Sequence, residues 1–117
     1  MPDVKFSDVV KNLMDKLNAL SVVIVSRDGL MLAGEVPAGV YSETFSIMAA
    51  TILGAAVTAT SEFTKTAPNK ITIESTDLTL VIMSAGKKLL LCVSVPSKMD
   101  LSKVYKEMEQ AIKQISS

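Results

Sequence analysis

Few residues in this chain could do chemistry, and their types narrow what that chemistry could be. The sequence holds no histidine. That removes serine or cysteine nucleophiles activated by an imidazole base, and most zinc sites. The single cysteine, Cys92, falls within the apolar run Leu91-Cys92-Val93, where a thiol acts as a buried hydrophobe rather than a nucleophile. The carboxylates are dispersed. Asp3, Asp8 and Asp15 share one side of a predicted helix, and Glu107 and Glu109 lie on another. No further oxygen ligands are placed to complete a hard-cation site, so these groups read as solvated faces. Gly86-Lys87 looks like the end of a phosphate loop, but Val81 stands where the loop needs its first glycine. Lys88 follows where a serine or threonine is required.

The only arginine, Arg27, sits in the polar insert Ser26-Arg27-Asp28-Gly29 between two apolar runs. An arginine offered from an exposed turn can stabilise a phosphoryl-transfer transition state in trans. A solvated turn residue is the preferred reading, because exposed arginines at turns are common. Arg27 and Asp28 are kept as candidate contacts for a partner. Lys70, Lys87 and Lys88 either form a small basic patch or keep strand ends soluble. No catalytic, cofactor-binding or metal-ligating residue is assigned, and an enzyme is not expected.

Composition sets the class. The 117 residues argue for one domain spanning 1–117, and 49% of them are hydrophobic, enough for a real core. A domain of this size buries only about two-thirds of its unfolded surface, so self-association would add stability. Twelve basic residues balance twelve acidic ones, which leaves no electrostatic case for nucleic acid or an anionic membrane. A lone cysteine excludes an internal disulfide and fits a reducing cytoplasm. The start, Met1 to Asp8, has no apolar core of a signal peptide, so none is expected. Thr44 to Ser61 carries no charge and reaches the lower length limit for a membrane span. Ser46, Thr51, Thr58, Thr60 and Ser61 dilute it and no Lys/Arg cluster flanks it, so membrane insertion is not expected.

The elements that must position these residues follow from periodicity. Phe6, Val10, Leu13, Leu17 and Leu20 recur at helical spacing, with Ser7 as the expected N-cap. Val22–Val25 and Leu30–Ala33 flank Asp28-Gly29 as a hairpin. A Gly- and Pro-containing loop leads to a long helix over Ser42–Thr66, with Ser42 as expected cap and Glu43 near its positive end. Three strands follow, at Lys70–Ser75, Leu78–Ala85 and Leu89–Val95. A last helix carries the stripe Leu101, Val104, Met108, Ala111 and Ile115 behind an Asp100 N-cap. The strands at Val22, Leu78 and Leu89 are apolar at both parities, which predicts central positions covered on each face. The strand at Lys70 alternates, with Ile71 and Ile73 on one face, which suits an edge open to another chain.

The long helix is apolar on both sides. Phe45, Met48, Ala49, Ile52, Leu53, Ala56, Ala59 and Phe63 gather on one side, which is expected to pack on the sheet. The other carries Ile47, Ala50, Gly54, Val57 and Ser61 at alternating spacings of three and four, the seam of two helices packing together. Gly54 costs a helix about 1 kcal/mol against alanine, so it calls for a packing reason. A second copy across a two-fold axis is the favoured partner. The predicted dimer interface is therefore Ile47, Ala50, Gly54, Val57, Ser61, Ile71 and Ile73.

The order α-β-β-α-β-β-β-α, the hairpin Val22–Glu35 with Asp28-Gly29, the alanine-rich middle helix, and the run Ile71–Val95 into an amphipathic last helix together resemble the roadblock / dynein light-chain domain family. The resemblance covers about Val9 to Ile115 and rests on the succession rather than on one motif. It implies a mixed α/β, profilin-like fold, with a five-stranded antiparallel sheet between the middle helix and the two terminal helices. It also implies dimerisation through middle helices and third strands, as a homodimer or with a second roadblock protein. Family members bind small Ras-like GTPases as regulators or scaffolds, or serve as dynein adaptors, and no cofactor is implied. Compact single-domain forms are expected in archaea and bacteria. A small-ligand sensor of the profilin-like kind is the alternative, although no polar residues are seen converging on an apolar cavity.

Overall fold

A computed structural model describes residues 5–116. The elements are α1 (Phe6–Leu17), β1 (Ser21–Ser26), β2 (Met31–Glu35), α2 (Ser42–Ser61), β3 (Lys70–Glu74), β4 (Leu78–Ala85), β5 (Leu89–Pro96) and α3 (Leu101–Ile115). The strands form one antiparallel sheet in the order β2-β1-β5-β4-β3. α1 and α3 cover one face and α2 the other, the profilin-like arrangement that the resemblance implied.

Strand parity builds two cores from one sheet. On β1, Val22 and Ile24 enter the core beneath α1 and α3, with Leu13, Leu17, Val93 and Met108. Val23 and Val25 enter the core beneath α2, with Ala49, Leu53, Ile82, Leu90 and Cys92. Strands β1, β4 and β5, apolar at both parities, are the three central ones, and β3 and β2 are the edges. β3 is held from the terminal-helix side. The hydroxyls of Thr72 and Tyr105 lie 2.7 Å apart, and Lys70 Nζ stands 3.8 Å from the centroid of the Tyr105 ring.

Helix ends depart from expectation in instructive ways. Asp100 caps α3 as predicted, its carboxylate accepting from the Ser102 N–H at 3.0 Å. Ser7 does not cap α1. Lys5 is the N-cap and no side chain caps the first turn; the Lys5 carbonyl accepts from Asp8 at 3.0 Å and Val9 at 3.3 Å. Ser42 is likewise the first helical residue behind Tyr41, with no side-chain cap. A serine near a boundary caps only if its own backbone stays extended, and both of these have already turned helical. α1 ends at left-handed Asn18, so Leu20 lies beyond the helix and is exposed. α2 ends at Ser61, short of Thr66. Asp3 lies outside the described residues.

α2 also faces differently. Its fully buried residues are Ser46, Ala49 and Leu53. Met48, Ala59 and Phe63, expected against the sheet, are exposed. Phe45 and Ile52 still pack on the core as expected, but the fully buried stripe is turned by roughly 70° from the expected one, at 100° per residue. Because the helix is apolar all round, its own pattern selects no direction. The sheet does.

Candidate functional site

With one helix over a five-stranded sheet, the α2 face is incompletely covered. Ile47 and Met48 are 50% and 52% exposed, Phe63 is 92% exposed, and Ile73 on the β3 edge is 38% exposed. Of the predicted interface residues, Ile47, Gly54 and Ser61 lie on the outer surface of α2. Ala50 and Val57 are half-buried and pack on the α2-side core, as does Ile71; they flank the outer surface rather than centre it.

Two details make that surface less polar and less crowded than its sequence. Thr51 donates to the Ile47 carbonyl at 2.7 Å, and Ser61 to the Thr58 carbonyl at 2.6 Å. Hydroxyls bonded back onto the helix leave fewer donors to hold water. A Cβ built on Gly54 would meet nothing within 4 Å. The chain's own packing supplies no reason for this glycine, although it lowers helix stability by about 1 kcal/mol.

The free edge adjoins the same core. β3 pairs with β4 alone, Ile71 opposite Ile82 and Ile73 opposite Leu80. Its outer row of backbone groups is open to pairing with another strand. The opposite edge, β2, carries an irregularity at Leu32, where the pairing passes from Ile24–Ala33 to Val25–Met31, which twists an edge away from such pairing.

Arg27 has an anchoring role that sequence spacing did not reveal. Its Nε donates to the Leu89 carbonyl at 3.1 Å and its Nη2 to the Gly86 carbonyl at 2.8 Å; its backbone N–H donates to the Lys88 carbonyl at 3.0 Å. The side chain is exposed, yet it binds the β1–β2 tip to the β4–β5 turn. Asp28 accepts from Ser26 Oγ, which in turn accepts from the Leu30 N–H at 3.0 Å, so the acid shapes its own turn. Gly29 has φ +96°, and a Cβ there would lie 3.2 Å from the Ile47 Cα. The turn thus needs glycine both for its left-handed backbone and for its approach to the first turns of α2.

Cys92 is fully buried, and desolvation pushes its thiol up to about 12. Such a thiol is protonated and unreactive at neutral pH. Lys16 Nζ lies 3.5 Å from Glu107 Oε1, bridging α1 and α3, so Glu107 is paired rather than merely solvated. Among the described residues no three His, Cys, Asp or Glu side chains converge as a metal site would require. α2 is long and apolar enough to cross a membrane by length and composition, while its Ser46, Ala49 and Leu53 side lies on the sheet.

Comparison with known proteins follows the same lines. The sequence profile of the Roadblock/LC7 domain matches residues 5–94. The solved structure of MglB from Myxococcus xanthus superposes with a TM-score of 0.91 at 16% identity, covering 97% of this chain and 93% of that one. A Roadblock/LC7 domain from Streptomyces avermitilis gives 0.87 at 18% identity, covering 97% and 95%. Profilin II from Acanthamoeba castellanii gives 0.63 at 14% identity, covering 93% and 94%. At these identities the likenesses establish the fold. No curated protein matches the sequence.

Proposed function

Because the chain belongs to the Roadblock/LC7 domain family, we propose that it is a non-enzymatic, cytoplasmic interaction module that forms a homodimer and binds a small Ras-like GTPase, which it regulates or scaffolds. Two observations carry it: an outer surface of α2 that exposes Ile47 and Met48 and holds an unexplained Gly54, and a β3 edge that pairs with β4 alone. Two copies related by a two-fold axis would join their β3 edges into one continuous sheet and lay their α2 helices side by side. That arrangement would cover Ile47 and Ile73 and give Gly54 its reason, since a missing Cβ lets two helix backbones approach closely. The GTPase assignment rests on family membership and on the absence of any assigned catalytic group.

Sedimentation of the purified chain tests the dimer. The wild type is expected to sediment as a dimer and Gly54→Leu largely as a monomer; a variant that remains fully dimeric would exclude this seam. Co-expression with a second roadblock protein distinguishes a heterodimer. The GTPase reading predicts a change in nucleotide exchange, in hydrolysis or in direct binding for a Ras-like GTPase from the same source. No change in any of the three would refute it.

A further inference from the structure

A groove of about 580 Å3 opens at the end of the sheet where the β1–β2 and β4–β5 turns meet, on the side of the terminal helices. Four elements wall it: Phe6 from the start of α1, Leu32 from β2, Leu89 from β5 and Ile115 from the last turn of α3. Leu32 is there because of the irregularity in β2. The register passes from Ile24 opposite Ala33 to Val25 opposite Met31, which leaves Leu32 without a partner on β1 and 43% exposed. An unpaired bulge residue is free to be re-aimed.

The rim is cationic. Lys87 and Lys88 stand on the β4–β5 turn and line the groove, and among the described residues no carboxylate does. Neither lysine takes part in an ion pair among the described residues. Phe6 is also the first helical residue of α1, whose first turn has no side-chain cap. Arg27 keeps the turn in position through the Gly86 and Leu89 carbonyls. An apolar floor with a cationic rim complements a ligand that is apolar along its length and anionic at one end. The volume lies in the range of small-molecule sites, about 300–1,000 Å3, and the composition is the usual one of apolar walls with a few polar groups. A flat bilayer cannot fill a concavity walled by four elements, and these apolar walls offer no partners for a nucleotide base.

We propose that this groove binds a small amphiphilic carboxylate, an unbranched aliphatic acid of medium chain length, with its chain along Phe6, Leu32, Leu89 and Ile115 and its head group at Lys87 and Lys88. The site gives the small-ligand alternative a location. It uses neither the outer surface of α2 nor the β3 edge, so it stands or falls separately from the dimer.

The test is a titration of the isotope-labelled chain with decanoate, below its micelle concentration, followed by amide shifts and calorimetry. Saturable shifts are expected at Leu32 and across Gly86 to Leu89. The double variant Lys87→Gln/Lys88→Gln, at two exposed positions, should weaken decanoate by about tenfold, the combined worth of two surface charge contacts. It should leave the affinity for neutral decanol unchanged. Hexanoate should bind more weakly, by up to about fourfold per methylene lost. Equal affinity for decanoate and decanol, shifts confined to α2 or β3, or no saturation would overturn the proposal. So would a response only to phosphatidylglycerol vesicles, which would assign the lysines to a membrane surface instead.

Discussion

The two faces of the sheet are finished to different degrees. On one, α1 and α3 lie against each other as well as on the strands, joined by the Lys16–Glu107 pair, and their apolar stripes turn inward, open only at the groove by Phe6 and Ile115. On the other, α2 alone spans the sheet, burying only Ser46, Ala49 and Leu53 completely and leaving Ile47, Met48 and Phe63 outside. The sheet itself is equally apolar on both sides, as the alternation of Val22 and Ile24 with Val23 and Val25 shows. The difference therefore lies in the cover. A pair of amphipathic helices completes a face, whereas a single helix apolar all round completes its inner contact and offers its outer one.

The largest effects should separate the faces by their dependence on concentration. Leu13→Ala, in the completed face, should cost about 2–5 kcal/mol in urea unfolding, the usual range for emptying a close-packed site. That loss should not vary with protein concentration. Ile73→Lys, at the open edge, should leave the isolated chain nearly as stable but weaken self-association by about tenfold or more, because a lysine on an edge opposes strand pairing. Equal sensitivity of both variants to concentration would erase the distinction between the faces.

Smaller effects sharpen it. Gly54→Ala should raise the stability of the dissociated chain by about 1 kcal/mol, since the new methyl meets open space. A destabilised monomer would mean that α2 packs inward at this point. Arg27→Lys should cost about 1 kcal/mol, because an ammonium cannot reproduce a guanidinium that reaches two carbonyls at once. Chemical denaturation checks the loss, and an unchanged midpoint would remove Arg27 as the anchor of the two turns. Ionisation of Cys92 should have no effect on stability at neutral pH. Its folded pKa, about 12, is raised from the ordinary 9.0. The folded state therefore holds its proton while the unfolded state releases it, and stability contributed by the thiol should be lost as pH rises from about 9 to about 12. Thiol titration of the native chain against a Cys92→Ala variant measures that window.

Much of the fold is legible from side-chain pattern alone, because burial on one or both faces imposes a period that the chain must carry. The alternation of Ile71 and Ile73 with Thr72 and Glu74 marked an edge, and β3 is one. The doubly apolar runs of β1, β4 and β5 marked the centre. Asp100 before an amphipathic stripe marked the start of α3. The candidate site was legible only in part. Ile47, Gly54 and Ser61 do lie on the outer surface, while Ala50 and Val57 were drawn toward the core, because a helix without a polar side carries no signal of its orientation. The groove was not foreseen at all. Its walls come from residues as far apart as Phe6 and Ile115, and Leu32 reaches it through a register irregularity that no local pattern announces.

By itself, then, the sequence determined the succession of elements, the two-sided burial of the central strands and the inert setting of Cys92, all consequences of local apolar pattern. Only the tertiary structure decided which way α2 turns, what Arg27 holds and where Lys87 and Lys88 point their charge. Those choices depend on partners distant in the chain, about sixty residues away for Arg27 and the Gly86 and Leu89 carbonyls. A long-range contact leaves no periodicity behind, because neither partner's neighbours in sequence share in it.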